Sequence, residues 1–291
     1  MTTFLFWNLN RKPLEKEVAT LCYEKNVDVL ILAELLQGKP RKPQETIEQA
    51  EQRMLKALNI HPSVEYIAQF NTLAKKTYFF YRNSIRDFKQ IEDYGRFSFR
   101  EVYPSSGDSI RVVAVHLESK YPSNDSSRQY HAVRNIIPEI NQIEKKQGHY
   151  RTLVIGDFNM HPFEAGMVNA DAFHAIMDRR VLKRPKAFGT RTVSGKDYRM
   201  FYNPMWSKLG DFRQEPSGTY YWDQSENNQF FWNAFDQAII RQDLLGHFSE
   251  DNFHVISEIA GTSLLKEELP GIDSIQFSDH LPILITLKTS S

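Results

Sequence analysis

Cys22 is the only cysteine in this 291-residue chain, so no disulfide can form within it. A single thiol is compatible with a reducing compartment. It falls on the apolar stripe Leu14, Val18, Leu21, Cys22 of an expected helix, the setting of a buried thiol rather than a nucleophile. Long hydrophobic runs are missing too: nothing approaches the ~20 apolar residues of a membrane span. The stretch MTTFLFWNLNRK has four consecutive apolar residues before Asn8, too few for the core of a signal peptide. A cytoplasmic protein without a membrane partner is therefore expected. Neither sign of charge is in excess, with 36 basic against 36 acidic residues. The field of the whole molecule thus gives no pointer to nucleic acid, and only local clustering can. Repeats, low-complexity tracts and Pro/Gly/Ser linkers able to separate domains are all absent.

What is present is an ordinary globular composition, 41% hydrophobic and 25% charged, long enough to bury a substantial core. Hydrophobic periodicity alternates strands and helices. Strands are expected at 3–8, 28–34, 64–69, 77–81, 86–92, 96–103, 109–119, 151–156, 234–241, 253–257 and 282–287. Helices are expected near 13–26, 44–58 and 126–147, the last kinked or restarted at Pro138. The region 165–232 reads as irregular and rich in aromatics. Many strands with few helices between them argue for mixed sheets packed face to face, with helices on the outer faces.

Six apolar segments share a further property: each carries polar residues at one end. VIGDFNMHP (154–162) places Asp157, Asn159 and His161 in one turn after a buried strand. The first strand ends in Asn8-Leu9-Asn10, the second in Glu34, and VVAV (112–115) in His116. Asp236 opens the strand at 234–241, and SDHLP places Asp279 and His280 before the last strand. Singly, each has a plain structural explanation as a turn former, a cap, a surface acid or a core imidazole. Together they supply carboxylates and amides without cysteine, which suit Mg2+ or Mn2+ better than zinc. A hard cation among acids, amides and imidazoles is equipment for hydrolysing phosphate esters.

The ordered set WNLN, AE, VHLES, GDFN, FDQ and SDHLP resembles the endonuclease/exonuclease/phosphatase superfamily over residues 3–287. The resemblance implies one catalytic domain, 1–291, with an α/β fold: a four-layer sandwich of two packed mixed β-sheets flanked by helices. It implies Glu34 as the principal Mg2+ ligand (Mn2+ in its place), with Asn10 beside it and Asp279 completing the site from the far side. Asp157 would orient and deprotonate the attacking water, and Asn159 and Asn8 would donate hydrogen bonds to the scissile phosphate. His280 would contact a non-bridging oxygen, with Asp236 fixing its tautomer. His116 would protonate or stabilise the leaving oxygen. Thr219, in SGTYYW, and Asn203, in FYNPMW, would lie beside the substrate, although a structural Asn-Pro turn is an equal reading of Asn203. His161 has no role in the pattern and is expected at the rim, while Glu118 and Ser119 read as turn residues.

The substrate is read from a local cluster. Between Arg179 and Arg199 stand eight Lys or Arg residues against one acid, Asp197, with aromatics next to them. Such a stretch suits a phosphate backbone and stacked bases. The expectation is a Mg2+-dependent phosphodiesterase, a nuclease cutting DNA or RNA by in-line attack of water. The alternative is a phosphatase or phosphodiesterase acting on a small molecule or lipid headgroup.

Overall fold

The computed structural model describes residues 1–39, 42–69, 76–120, 125–184, 188–212, 216–223, 230–268 and 270–288. Two sheets dominate it. The first contains β1 (Thr2–Asn8), β2 (Val29–Ala33), β3 (Tyr66–Ala68) and β4 (Thr77–Arg82). The second contains β5 (Asp87–Tyr94), β6 (Phe97–Tyr103), β7 (Ile110–His116) and β8 (Thr152–Asp157). Two short pieces, β9 (Ala175–Ile176) and β10 (Phe201–Tyr202), join the second sheet together with β11 (Asp236–Ile240). The chain then returns to the first sheet with β12 (Phe253–Val255) and β13 (Ile283–Leu287). The strand orders are β12-β13-β1-β2-β4-β3 and β9-β10-β11-β8-β7-β6-β5, both mixed parallel and antiparallel.

Side-chain alternation explains how the layers stack. On β7, Val112 and Ala114 join the large core between the sheets, while Val113 and Val115 face the other way, into a second core. On β8, Leu153 and Ile155 face the first core and Val154 the second. Both faces of these strands are covered, which is why they read as continuous apolar runs. The second core is closed by α3 (Ser127–Gln147) through Val133, Ile136 and Ile140. On the far side, α1 (Glu15–Glu24) and α2 (Ile47–Leu58) cover the first sheet with Val18, Leu21, Ala50 and Met54. Each fully buried aliphatic side chain contributes about 1.5–3 kcal/mol relative to exposure. The architecture is the α/β sandwich expected, two mixed sheets flanked by helices.

Differences from the sequence reading lie at element ends. The strand expected at 109–119 stops at His116, and α1 is shorter at both ends than the stripe suggested. α2 starts three residues later than expected because Thr46 and Gln49 form a reciprocal capping box there. α3 runs through Pro138 without a break, with the proline on its exposed face. The carbonyl that the ring leaves unpaired one turn back can be hydrated on such a face.

Candidate active site

The cleft lies where strand ends of both sheets meet. Parity decides which residues reach it, since every second side chain on a strand shares a face. Asp157 continues the row of Leu153 and Ile155, His116 the row of Val112 and Ala114, and Asp236 the row of Ala238 and Ile240. All three therefore end the face that looks at the other sheet. Register then aligns them: Asp157 pairs with His116 on β7 and with Asp236 on β11. Across the gap, Asn8 ends β1, and its side-chain amide donates to Asp157 Oδ2 at 3.2 Å.

The turns after these strands are built to aim side chains. Asn10, Glu34 and Asn159 have φ of +47°, +50° and +49°. Asparagine tolerates that left-handed region, but for glutamate it costs about 1–2 kcal/mol. A strained Glu34 at a strand end is the kind of outlier that functional sites retain. Its carboxylate lies 3.7 Å from His116 Nε2 and 3.3 Å from Arg11 Nε, and is a quarter exposed. The amide N–H of Asn10 donates to Asn8 Oδ1 at 3.1 Å, and that of Asn159 to Asp157 Oδ1 at 2.9 Å. One hydrogen of the Asn159 side-chain amide goes to the Leu117 carbonyl at 3.2 Å, leaving the other for the cleft.

His280 is held from several directions. Its carbonyl accepts from the Trp7 indole at 2.8 Å, its amide donates to Ser278 Oγ at 3.1 Å, and its Nδ1 meets Asp236 Oδ2 at 2.8 Å. Burial alone would lower the imidazole pKa, but the Asp236 carboxylate, with Asp157 and Asp279 beyond it, holds it up at about 10. His280 is thus a buried imidazolium at neutral pH. Asp157 is pushed up to about 7, first by burial and then by the Asp236 charge, with His280 pulling the other way. His116 moves down to about 3, chiefly through burial and then through the Arg96 and His280 charges. The Asp157 carboxyl and the two imidazoles are thus moved in different directions, the pattern from which acid and base roles arise.

Asp157, Asp236 and His280 present ligand atoms within 4.8 Å of one another and could between them hold a metal ion. Two features favour a hydrogen-bond network there instead. His280 Nδ1 is already engaged by Asp236, and an imidazolium has no lone pair to give a metal. Elsewhere in its lining the cleft has Glu34, Asn10 and Asp279, which supply two carboxylates and an amide oxygen. That all-oxygen donor set fits Mg2+ or Mn2+, and Mg2+ fills its remaining positions with water.

Nine of the eleven expected site residues line this cleft or bond directly to residues that do: Asn8, Asn10, Glu34, His116, Asp157, Asn159, Asp279 and His280, with Asp236 behind His280. Thr219 and Asn203, expected beside the substrate, do not line it. Thr219 is fully buried, and its hydroxyl accepts the Asp236 amide at 3.0 Å, so it fixes the start of β11. Asn203 is also fully buried, donating to Gln237 Oε1 at 2.7 Å and capping the Met205 amide at 3.0 Å. These are the bonds of a turn former that caps the helix beginning at Pro204. His161 is buried rather than at the rim, with Nε2 3.0 Å from Asn233 Oδ1. Glu118, read as a turn residue, faces the cleft and pairs with Arg96 at 2.8 Å.

The basic stretch 179–199 contributes nothing to the cleft lining among the described residues. Arg179 pairs with Glu250 at 2.9 Å, Arg180 with Asp178 at 2.7 Å, and Arg199 covers the Tyr150 ring at 3.5 Å. Lys186 of that stretch lies outside the described residues. The cations of the cleft are Arg11, Lys76, Arg96 and Arg128, and its aromatic residues are Tyr78, Tyr220 and Phe235. No sequence motif marks any of the four cations: Arg11, Lys76 and Arg96 stand singly outside regular elements, and Arg128 is one of several charges on α3. The cleft encloses about 620 Å³.

No family model matches the chain, and a search of curated proteins finds no relative. Solved structures match it along its whole length. The endonuclease domain of TRAS1, a telomere-specific non-LTR retrotransposon, is 12% identical with a TM-score of 0.51, and all of both chains is covered. Truncated Caenorhabditis elegans TDP2 is 15% identical with a TM-score of 0.54, covering 99% of this chain and 97% of its own. An endonuclease/exonuclease/phosphatase family protein from Leptotrichia buccalis is 13% identical with a TM-score of 0.55, covering 99% and 100%. The chain has the fold of the endonuclease/exonuclease/phosphatase superfamily.

Proposed function

We propose that this protein is a Mg2+- or Mn2+-dependent phosphodiesterase, and specifically a nuclease. The observation that carries the reading is the row His116, Asp157, Asp236 on three adjacent strands, facing Asn8 and Glu34 across the gap between the sheets. A bound divalent ion would neutralise phosphate charge and acidify water, and Glu34, Asn10 and Asp279 would hold it. Asp157 accepts the proton of the attacking water, its raised affinity for protons matching it to that task at neutral pH. His280, kept cationic by Asp236, stabilises the negative charge that grows on a non-bridging oxygen. Asn8 and Asn159 position the phosphate with their free amide hydrogens. His116 is neutral in the cleft, so it steadies the leaving oxygen by a hydrogen bond rather than by giving up a proton.

Four cations in an otherwise acidic cleft, and structural likeness to a protein described as an endonuclease domain, support nucleic acid over a small ester. A panel in Mg2+ and Mn2+ tests this: plasmid, single-stranded DNA, RNA, abasic duplex, inositol phosphates and a simple phosphodiester. Hydrolysis of the nucleic acids is expected, with log(kcat/KM) falling against log[salt] by roughly 0.7 per phosphate contacted on a single strand. Turnover confined to inositol phosphates, with little response to salt, would replace the nuclease by a small-molecule phosphatase.

A further inference from the structure

A line of aromatic rings leaves the cleft that the phosphate chemistry does not use. The His280 ring meets Tyr220 at 4.8 Å between centroids, and Tyr220 lies nearly parallel to Phe235 at 5.5 Å and 25°. Phe235 meets His161 edge-on at 5.4 Å. His161 then stacks flat on Phe163 at 4.9 Å and 7°, and leans on Phe230 at 4.9 Å. Tyr220 and Phe235 line the cleft, whereas Phe163 and Phe230 stand outside it, 43% and 52% exposed and 5.9 Å apart.

The line is held rigidly. His161 Nε2 is tied to Asn233 Oδ1 at 3.0 Å, and its amide donates to Glu164 Oε1 at 2.8 Å. Burial, and then the Lys120 charge, push the imidazole down to about 4, so at neutral pH it is an uncharged flat ring. Lys120 pairs with the same Glu164, and its ammonium sits 5.1 Å over the Phe235 ring. Isolated exposed phenyl groups need no explanation, but two side by side at the mouth of a site mark a binding surface.

We propose that this line is a stacking shelf for the unpaired bases of a single-stranded nucleic acid whose scissile phosphate occupies the cleft. The proposal rests on the nuclease reading and names its preferred substrate. Bases in a duplex hide their faces, whereas a single strand offers a face at every nucleotide, whatever the base. The shelf begins beside an imidazolium and leaves a cleft that carries Lys76, Arg96 and Arg128, a charge pattern that answers a polyanion. Arg96 and Arg128 share one carboxylate, Glu118, at 2.8 and 3.8 Å, two cations on a single acid.

The test compares the wild-type protein with the double variant Phe163→Ala/Phe230→Ala, both checked by thermal melting for retained fold. Two single-stranded oligomers of equal length are used, one with bases and one wholly abasic, so that phosphate contacts are the same. In the wild type, kcat/KM favours the base-bearing oligomer by about tenfold or more, and in the double variant the ratio falls to within about twofold of one. A second readout needs no turnover: with EDTA present, an oligonucleotide carrying 2-aminopurine is quenched on binding wild type and much less on binding the variant. If the wild type cleaves both oligomers equally and leaves 2-aminopurine bright, the shelf is wrong and the phosphodiesterase reading stands. If neither oligomer is cleaved, the nuclease reading fails, and quenching alone decides whether the shelf binds bases. Retention of the wild type, but not the variant, on phosphatidylcholine vesicles without quenching would make the surface a lipid contact and overturn the proposal.

Discussion

Asp157→Asn lowers kcat/KM by roughly a thousandfold on whichever phosphodiester the wild-type protein hydrolyses, yet leaves it folded. The rate falls because an amide cannot take the proton of the attacking water. The fold survives because the carboxylate it replaces is buried against Asp236, a like charge, and an asparagine carries none. Its oxygen can still accept the Asn159 amide, while its new N–H2 faces the Asn8 amide in place of an acceptor. Losing that one hydrogen bond costs about 1 kcal/mol, readable in a thermal melt. The pH profile carries the same information. The kcat/KM of the wild type rises as Asp157 loses its proton near pH 7 and falls as His280 loses its own near pH 10. A bound cation moves the first limb lower. In Asp157→Asn the residual activity has no acidic limb. If the variant kept wild-type rates, or kept that limb, Asp157 would not be the base.

Gly156→Ala, one residue earlier, has the opposite character: it destroys the fold before it touches the chemistry. Gly156 has φ of +150°, and a Cβ there would sit 2.0 Å from the Val115 carbonyl oxygen and 2.8 Å from the carbon behind it. Both atoms are backbone of the parallel neighbour, paired in register with Gly156, so no side chain can swing aside. The strands must separate, and with them His116 from Asp157, now 3.9 Å apart. A loss of about 4 kcal/mol or more is expected, in the range where single substitutions become exceptional. Most of a typical domain's stability of about 5–15 kcal/mol would go. Gly95→Ala is the control: its φ is also positive, at +56°, but nothing lies within 4 Å of the added carbon. That change costs about 1 kcal/mol. Equal melting temperatures for the two variants would mean that β7 and β8 do not approach so closely.

The two variants flank the feature that made this site readable from the chain. A polar residue directly at the end of an apolar strand is visible in the sequence: Asn8, Glu34, His116 and Asp157 are read that way, and His280 from the SDHLP turn before the last strand. What the sequence does not carry is side-chain direction in irregular segments. Thr219 and Tyr220 are adjacent, yet the tyrosine faces the cleft and the threonine turns inward to the Asp236 amide. Asn203 looked like a substrate amide because it sits among aromatics, but its polar atoms are taken by Gln237 and Met205. The charge of 179–199 is dense along the chain but spent on local partners such as Glu250 and Asp178. Conversely, Arg96, at the foot of β6, becomes a cleft residue only through its bonds to the His116 carbonyl and Glu118. The aromatic richness of 165–232 was legible, but only Tyr220 and Phe230 of that region enter the line of rings, which His161, Phe163, Phe235 and His280 complete from outside it.

Where a divalent ion would sit decides the chemistry proposed for every other residue. Titration of Mn2+ by electron paramagnetic resonance into wild type, Glu34→Gln and His280→Ala measures it directly. Binding to the wild type that is weakened at least about tenfold in Glu34→Gln, and little changed in His280→Ala, is the result predicted for a cation held by Glu34, Asn10 and Asp279. Binding that survives Glu34→Gln and disappears in His280→Ala would place the ion in the buried Asp157, Asp236, His280 group. That outcome would contradict the assignment of Asp157 as base and His280 as charge stabiliser.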